Sequence, residues 1–135
     1  MRVRRLPLQG PYTLLAACDA RGVPVLLEFL KGLGANLEND ADHLLALLER
    51  VAVSGPPRNT DVSHKIRGEI WEFIKGRLRV FWFYDEGRVI VCSHGLLKKT
   101  QKVPAGELHR AEQTRADYFA AKQAGRLRIE EEDDD

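Results

Sequence analysis

The spacing of apolar residues predicts helices in the first half of the chain. Residues 12–19 form a short apolar run that is typical of a strand. Pro24 then suits the first turn of a helix, and leucines recur after it at helical spacing. A second helix, capped by Asn36 or Asn39, carries an apolar stripe that ends at Val51. We therefore expect one strand followed by a pair of helices packed on a core.

The pattern changes in the second half, where aromatic and β-branched residues dominate. It predicts three consecutive strands, at residues 69–75, 78–85 and 88–94. Turn residues at 76–77 and 86–87 predict tight hairpins, so these strands should be antiparallel neighbours. A third helix should begin at Pro104 and end at Gly125.

Together these elements predict an α+β fold in a single domain over residues 1–129. An N-terminal strand and a helical hairpin should pack on a mainly antiparallel four-stranded sheet, and a C-terminal helix should complete the domain. The helical hairpin would cover one face of the sheet and leave the other partly open. The last six residues, EEEDDD, predict an acidic disordered tail at 130–135.

The net charge of +1 conceals an uneven distribution of charge along the chain. Residues 58–102 carry ten Lys and Arg against five Asp and Glu, a net charge of +5. Nine of these cations lie within or beside the predicted strands: Lys65, Arg67, Lys75, Arg77, Arg79, Arg88, Lys98, Lys99 and Lys102. A rigid sheet that holds many cations apart suits a polyanion, and phosphate backbones are the commonest such partner.

The sequence lacks the motifs of several other catalytic sites, of metal sites, and of secreted or membrane proteins. It has no nucleophilic-serine motif, no glycine-rich phosphate loop and no CxxC pair. The four histidines are not at ligand spacing, so we expect neither a metal nor a cofactor. Cys18 and Cys92 lie in apolar runs and should be buried, reduced thiols. No apolar run is long enough for a bilayer and no secretory signal is visible, which predicts a cytoplasmic protein without a membrane partner.

A cationic sheet without a metal site is suited to the cleavage of RNA. The ribose 2′-hydroxyl is itself the nucleophile in that reaction, so the protein has to position it and neutralise charge on the phosphoryl oxygens. Lys and Arg side chains can do both without a metal ion.

The segments IRGEIWEF and LRVFWFYDEGRVIVCSHGLLKKTQKVP carry a resemblance to a known family. They resemble the HigB-type branch of the RelE/ParE toxin superfamily, including its phage-derived members, and the similarity extends over residues 12–121. The resemblance implies a RelE-like fold and a ribosome-dependent mRNA endonuclease of a type II toxin–antitoxin pair. Such toxins cut at the A-site codon, leave a cyclic phosphate, and are neutralised by a helix-turn-helix antitoxin. The ribosome, mRNA and that antitoxin are therefore the expected partners.

The resemblance also implies roles for particular residues. Arg79 matches the arginine that contacts the scissile phosphate, and Glu72 matches the acid of a Trp-Glu-Leu-Arg motif. The arginine of that motif is replaced here, so Lys75 or Arg77 would have to substitute for it. The candidate catalytic residues are Arg79, Glu72, Lys75, Lys98 and His94, and the candidate RNA-binding residues are Lys65, Arg67, Arg77, Lys99 and Lys102.

Alternatives remain open for these residues and for the function. Arg79 is also suited to an ion pair with Glu72 across a hairpin, and His94 to a hydrogen bond at a strand end. The segment from Lys98 to Lys102 is equally compatible with a solvated loop. Two non-catalytic functions compete with cleavage, namely a ParE-like inhibitor of DNA gyrase and a phage-derived binding scaffold.

Overall fold

A computed structural model describes residues 1–131 and shows an α+β fold. The strands of this part are β1 Arg2–Arg5, β2 Thr13–Ala17, β3 Ser63–Arg67, β4 Ile70–Lys75, β5 Leu78–Tyr84, β6 Val89–Leu97 and β7 Arg128–Glu130. The helices are α1 Val25–Lys31, α2 Glu38–Ser54 and α3 Ala105–Gln123, and a 3-10 turn at Ala35–Leu37 precedes α2. The predicted succession of strand, two helices, three strands and helix is present.

The sheet is larger than predicted and mixed in direction. Over the described residues it has seven strands in the order β3-β4-β5-β6-β2-β1-β7. The pairs β3–β4, β4–β5, β5–β6 and β1–β2 are antiparallel, whereas β2–β6 and β1–β7 are parallel. The prediction of four mainly antiparallel strands is therefore wrong in number. It omitted β1, β3 and β7, which are short and rich in charged residues and so lack the apolar alternation of a strand.

The sheet has a core on each face because both are covered. On one face, here called the hairpin face, Phe73, Val80 and Trp82 pack with buried residues of α1 and α2. On the other, here called the α3 face, Phe81 and Phe83 pack with residues of α3. The hairpin face was expected to be covered, and α3 lies on the face that was expected to be partly open.

The helices begin and end close to their predicted positions, but α2 has a different start. Pro24 precedes α1 and Pro104 precedes α3, as predicted. Leu37 occupies the N-cap position of α2 and no side chain caps it, so the prediction of a cap by Asn36 or Asn39 is wrong. The 3-10 turn leads directly into α2, which leaves neither Asn at the N-cap.

The turns between the central strands set where the basic residues lie. Lys75 pairs directly with Leu78, which confirms a two-residue turn, and Gly76 takes the positive φ of 55° that such turns favour. The next connection is longer than predicted. The Asp85 N–H donates to the Val89 carbonyl at 3.0 Å, which leaves three residues, 86–88, in that loop.

The C-terminal half of α3 is attached to the sheet by a polar contact with Asp85. The Tyr118 hydroxyl donates to Asp85 Oδ2 at 2.5 Å, and Lys122 Nζ lies 2.8 Å from Oδ1. Burial favours a higher pKa for Asp85, but the hydrogen bonds from Lys122 and Tyr118 outweigh it and hold that pKa below its ordinary value. Asp85 therefore stabilises the folded state as a carboxylate.

We expect the contribution of Asp85 to stability to disappear in acid. Because its folded pKa is lowered, the contribution is complete above the unfolded value of about 3.9 and is lost as pH falls through the folded value. Urea unfolding of the wild type and Asp85→Asn should differ most at neutral pH and converge below roughly pH 4. A difference in unfolding free energy that stays constant from pH 7 to pH 2 would contradict this assignment.

The start of the predicted acidic tail is structured. Glu130 is the last residue of β7, and its carboxylate lies 3.8 Å from Arg2 Nε and 3.7 Å from Arg4 Nη2. The prediction that the chain is disordered from Glu130 is therefore wrong for this residue, while 132–135 lie outside the described residues. Glu130 pairs with arginines of β1, at the opposite edge of the sheet from β3.

The sequence also predicted that both thiols are buried and reduced and that no segment spans a membrane. Cys92 is buried and free, and burial raises its pKa to about 12, whereas Cys18 is free but only half-buried. Among the helices of residues 1–131, none combines the length and the apolar character needed to cross a bilayer.

Candidate functional site

Three polar side chains from adjacent strands meet on the α3 face at the β3 edge of the sheet. Glu72 of β4 pairs with His64 of β3 in the strand register, and His64 Nε2 lies 2.9 Å from Glu72 Oε1. Arg79 of β5 approaches the other carboxylate oxygen, with Nε 3.9 Å from Oε2. We call these three residues the Glu72 cluster. Glu72 is almost fully buried, since its side chain is only 4% exposed.

The guanidinium of Arg79 is held in place while part of it stays free. Its Nη1 donates to the carbonyls of Gly76 at 2.8 Å and Leu78 at 3.0 Å. Its Nε faces Glu72 beyond hydrogen-bond distance and is buried without a partner. Within residues 1–131 no hydrogen bond is made by Nη2, and the side chain as a whole is 12% exposed, so Nη2 is the donor left for a ligand. A donor fixed in advance at a developing charge is the usual means of stabilising an anionic transition state.

The distance between Arg79 and Glu72 bears on the two predicted roles for the arginine. At 3.9 Å the two side chains attract each other but form no hydrogen bond, and Arg79 is opposite Ile74, not Glu72, in the register. The carboxylate Oε2 is also buried without a partner. A purely structural ion pair would normally satisfy both groups. The cluster is therefore incompletely satisfied, as expected where a further group binds.

His64 fixes the orientation of the Glu72 carboxylate. Its Nδ1 lies 2.9 Å from the Thr60 carbonyl and its Nε2 lies 2.9 Å from Glu72 Oε1, so both ring nitrogens face acceptors. Only the doubly protonated ring donates to both at once.

An open groove of about 360 Å³ begins at Arg79 and is strongly basic. The lining residues are Gly76, Arg77, Arg79, Lys98, Lys99, Thr100 and Gln101. The Lys98 N–H donates to the Arg77 carbonyl at 2.8 Å, which holds the two sides of the groove together. Four of its seven lining residues are cations and none is acidic, so the groove is suited to a phosphate backbone. We call it the basic groove.

The structure separates other predicted residues from this groove. Strand alternation places Lys75 and Lys65 on the hairpin face, opposite the Glu72 cluster, and Lys65 also pairs with Glu69 at 3.5 Å. Arg67 is bound to Glu112 of α3. The basic residues were expected on the partly open face of the sheet, and this is wrong for Lys65 and Lys75, whereas Arg67 lies on the α3 face but is paired with an acid. From the hairpin face, Lys75 is poorly placed to act beside Arg79. Arg77 lies in the basic groove and remains the candidate substitute.

His94 lies on the α3 face but is buried away from solvent. Its Nε2 is 2.7 Å from Glu107 Oε2, its Nδ1 is 2.8 Å from Ser93 Oγ, and its side chain is 1% exposed. Burial, and after it the charge of Arg110, lowers the pKa of His94. In the register Phe81 stands between His94 and Glu72. This geometry favours the predicted alternative in which His94 makes a hydrogen bond near the end of its strand. A catalytic proton donor would need contact with the substrate, and the side chain of His94 is buried.

Two residues of importance were not found from the sequence. The sequence gives little indication that His64 belongs to the site. It lies in a polar segment just before a predicted strand, and nothing in the sequence identifies it as the neighbour of Glu72. Glu107 lies in the first turn of α3, where an acid is common for reasons of helix capping alone. Within the part of the chain that the structure describes, no three His, Cys, Asp or Glu side chains are grouped as a metal site requires.

The middle of the chain matches a known protein family. A family model described as phage-derived protein Gp49-like (DUF891) matches residues 28–116. This segment contains the second half of α1, all of α2, the strands β3 to β6 and more than half of α3, and so includes the Glu72 cluster and the basic groove. No curated protein matches the chain.

Proposed function

Because the chain belongs to the family of Gp49-like phage-derived proteins, which are RelE-like toxins of toxin–antitoxin systems, we propose that it cleaves mRNA on the ribosome. The observation that supports this most is the state of Arg79. Its guanidinium is fixed by two carbonyls and a nearby carboxylate, and its Nη2 is left free at the end of the basic groove. A rigid cationic donor beside a basic groove is what stabilisation of a charged phosphoryl group would require, and this supports the proposal.

The reaction proposed is attack by the 2′-oxygen of the ribose on the adjacent phosphorus. The 2′-hydroxyl gives its proton to a solvent water as its oxygen bonds to phosphorus, the bond to the 5′-oxygen breaks, and that oxygen gains a proton as it leaves. The products are a 2′,3′-cyclic phosphate and a 5′-hydroxyl. Arg79 neutralises the charge that develops on the phosphoryl oxygens, and Glu72 keeps its guanidinium oriented. Lys98, which lines the same groove, is the candidate donor to the leaving oxygen.

The remaining cations of the groove would bind the message without taking part in the reaction. Arg77 and Lys99 are exposed and line the groove with Lys98, and Lys102 follows in the same loop. Contacts of this kind position a nucleic acid by its phosphates. The proposal places the protein in the HigB-type branch, as a cytoplasmic toxin of a type II pair that a helix-turn-helix antitoxin neutralises.

The test is the fate of a defined mRNA on ribosomes programmed with it. We expect the purified protein to cut the message within the A-site codon and to leave free mRNA largely intact, as judged by primer extension. Ribosomes without the protein are the control. An intact message after prolonged incubation with a folded protein would overturn the proposal and favour a binding scaffold or a gyrase inhibitor.

A further inference from the structure

Two consecutive residues of β6 contact the same helix, although neighbouring residues of a strand normally point to opposite faces. Ser93 Oγ lies 3.1 Å from Thr114 Oγ1 of α3, and His94 Nε2 lies 2.7 Å from Glu107 Oε2 of α3. The register explains this. Phe81 of β5 pairs with His94 while Trp82 pairs with Cys92, so Ser93 is the extra residue of a β-bulge. Bulges re-aim side chains in this way and are frequent beside functional sites.

The contact between His94 and Glu107 joins the chain on the two sides of residues 98–104, which we call the basic loop. This loop has no regular secondary structure. Its first residue is tied to the turn between β4 and β5, where the Lys98 N–H donates to Arg77. Its far end runs into the first turn of α3, which contains Glu107. Thr100 Oγ1 donates to the Lys102 carbonyl at 2.8 Å, but both residues belong to the loop, so this hydrogen bond does not attach the loop to the rest of the domain.

The rest of α3 is attached to the sheet by contacts that lie further along the helix. Glu112 binds Arg67 of β3, and Tyr118 and Lys122 bind Asp85. Ala111 and Tyr118 are buried against the core of the α3 face. The first turn of α3 contributes partly buried Leu108 and the Glu107 carboxylate. Val103, near the end of the loop, also packs on this core, so loss of the Glu107 contact should loosen the first turn and the loop before it while the rest of the helix stays in place.

We propose that the hydrogen bond between His94 and Glu107 sets the shape of the basic loop, and that both are positioning residues for RNA binding. This inference rests on the proposed function, because it assigns the loop lysines to the message. His94 and Glu107 do not touch the RNA. They hold Lys98 and Lys99 in the basic groove before RNA arrives, which lowers the entropy lost when the side chains and the loop become ordered on binding.

The test compares two variants of Glu107 that remove the same charge. Glu107→Gln keeps an acceptor for the His94 N–H, whereas Glu107→Ala does not. Tyr118→Phe is the control, since it removes a polar contact of α3 at the other end of the helix without a change of charge. Three quantities are measured: amide hydrogen exchange over residues 98–104 in the free protein, and both affinity and single-turnover cleavage on programmed ribosomes.

We expect Glu107→Ala to raise exchange in the loop and to weaken ribosome affinity roughly three- to tenfold, the scale of ordering one long side chain on binding. At saturation the bound RNA orders the loop again, so the cleavage rate should fall less than the affinity, although Lys98 is the candidate proton donor. Glu107→Gln and Tyr118→Phe should resemble the wild type in all three readouts. A loss of affinity in Glu107→Ala could not be explained by charge, because removal of an acidic side chain should by itself strengthen RNA binding.

Equal behaviour of Glu107→Ala and Glu107→Gln would overturn the inference, as would raised exchange with unchanged affinity. Failure of the proposed function is a separate result. It would be a wild type that leaves the ribosome-bound message intact, and hydrogen exchange would then still decide whether Glu107 shapes the loop.

Discussion

Replacement of Arg79 by alanine is expected to slow single-turnover cleavage of ribosome-bound mRNA by about 100-fold or more, the scale for losing one charge-stabilising donor. Arg79 is the residue of the groove whose guanidinium is fixed by two carbonyls and Glu72. Arg79→Lys should recover little of the rate, because an ammonium cannot reproduce the planar set of donors. The rate is measured with the ribosome complex saturated, after a thermal melt has shown that each variant is folded.

Loss of the lysines that only bind RNA should act on affinity and not on the reaction. Lys99 lines the groove and Lys102 follows in the same loop, so their joint replacement by alanine should weaken ribosome binding and flatten its salt dependence, while the cleavage rate at saturation stays close to that of the wild type. Lys31→Ala is the matched control, since Lys31 is an exposed cation at the end of α1. A well-folded Arg79→Ala that cuts at the wild-type rate would make Arg79 a structural partner of Glu72, and the non-catalytic functions would then be favoured.

The largest effect on stability is expected for Trp82, at the centre of the core on the hairpin face. Its ring is fully buried and stacks on Phe73, with centroids 4.7 Å apart, and on Trp71 at 5.3 Å. Trp82→Ala should lower the free energy of unfolding by about 3–5 kcal/mol, the usual cost of emptying such a site. That is a large share of the stability of a domain this size, so urea unfolding is best measured at low temperature.

A second substitution distinguishes packing from hydrogen bonding at this position. Trp82 Nε1 is buried without a partner within residues 1–131, so Trp82→Phe loses volume but also removes an unsatisfied N–H. It should therefore cost clearly less than Trp82→Ala. Val53→Ala, at a side chain that is 58% exposed, should change stability by no more than about 0.5 kcal/mol. Equal costs for Trp82→Phe and Trp82→Ala would contradict this description of the core.

The sequence predicted the centre of the fold well because its signals are local. The strands β4, β5 and β6 are apolar or aromatic and are joined by short turns, so both their existence and their pairing could be inferred. The outer strands could not. Strand β7 is three residues long and pairs in parallel with β1 from the far end of the chain, a contact that local patterns do not encode.

The candidate site was predicted in part, and its errors have physical causes. Glu72 and Arg79 were selected, and both point to the α3 face. Strand alternation alone would have put Lys75, three positions after Glu72, on the opposite face. His64 was missed because β3 is a polar edge strand without alternation. The orientation of Ser93 and His94 depends on a β-bulge, which the sequence does not reveal.

The most direct test of the central claim is the cleavage of a message that carries a single 2′-deoxynucleotide at the mapped cutting position. If the basic groove and Arg79 serve attack by the ribose hydroxyl, the all-ribose message should be cut to a 2′,3′-cyclic phosphate on programmed ribosomes. The substituted message should stay intact at that position while it binds equally well. Cleavage of both messages at the same rate, or a product that ends in a 3′-hydroxyl, would contradict the account.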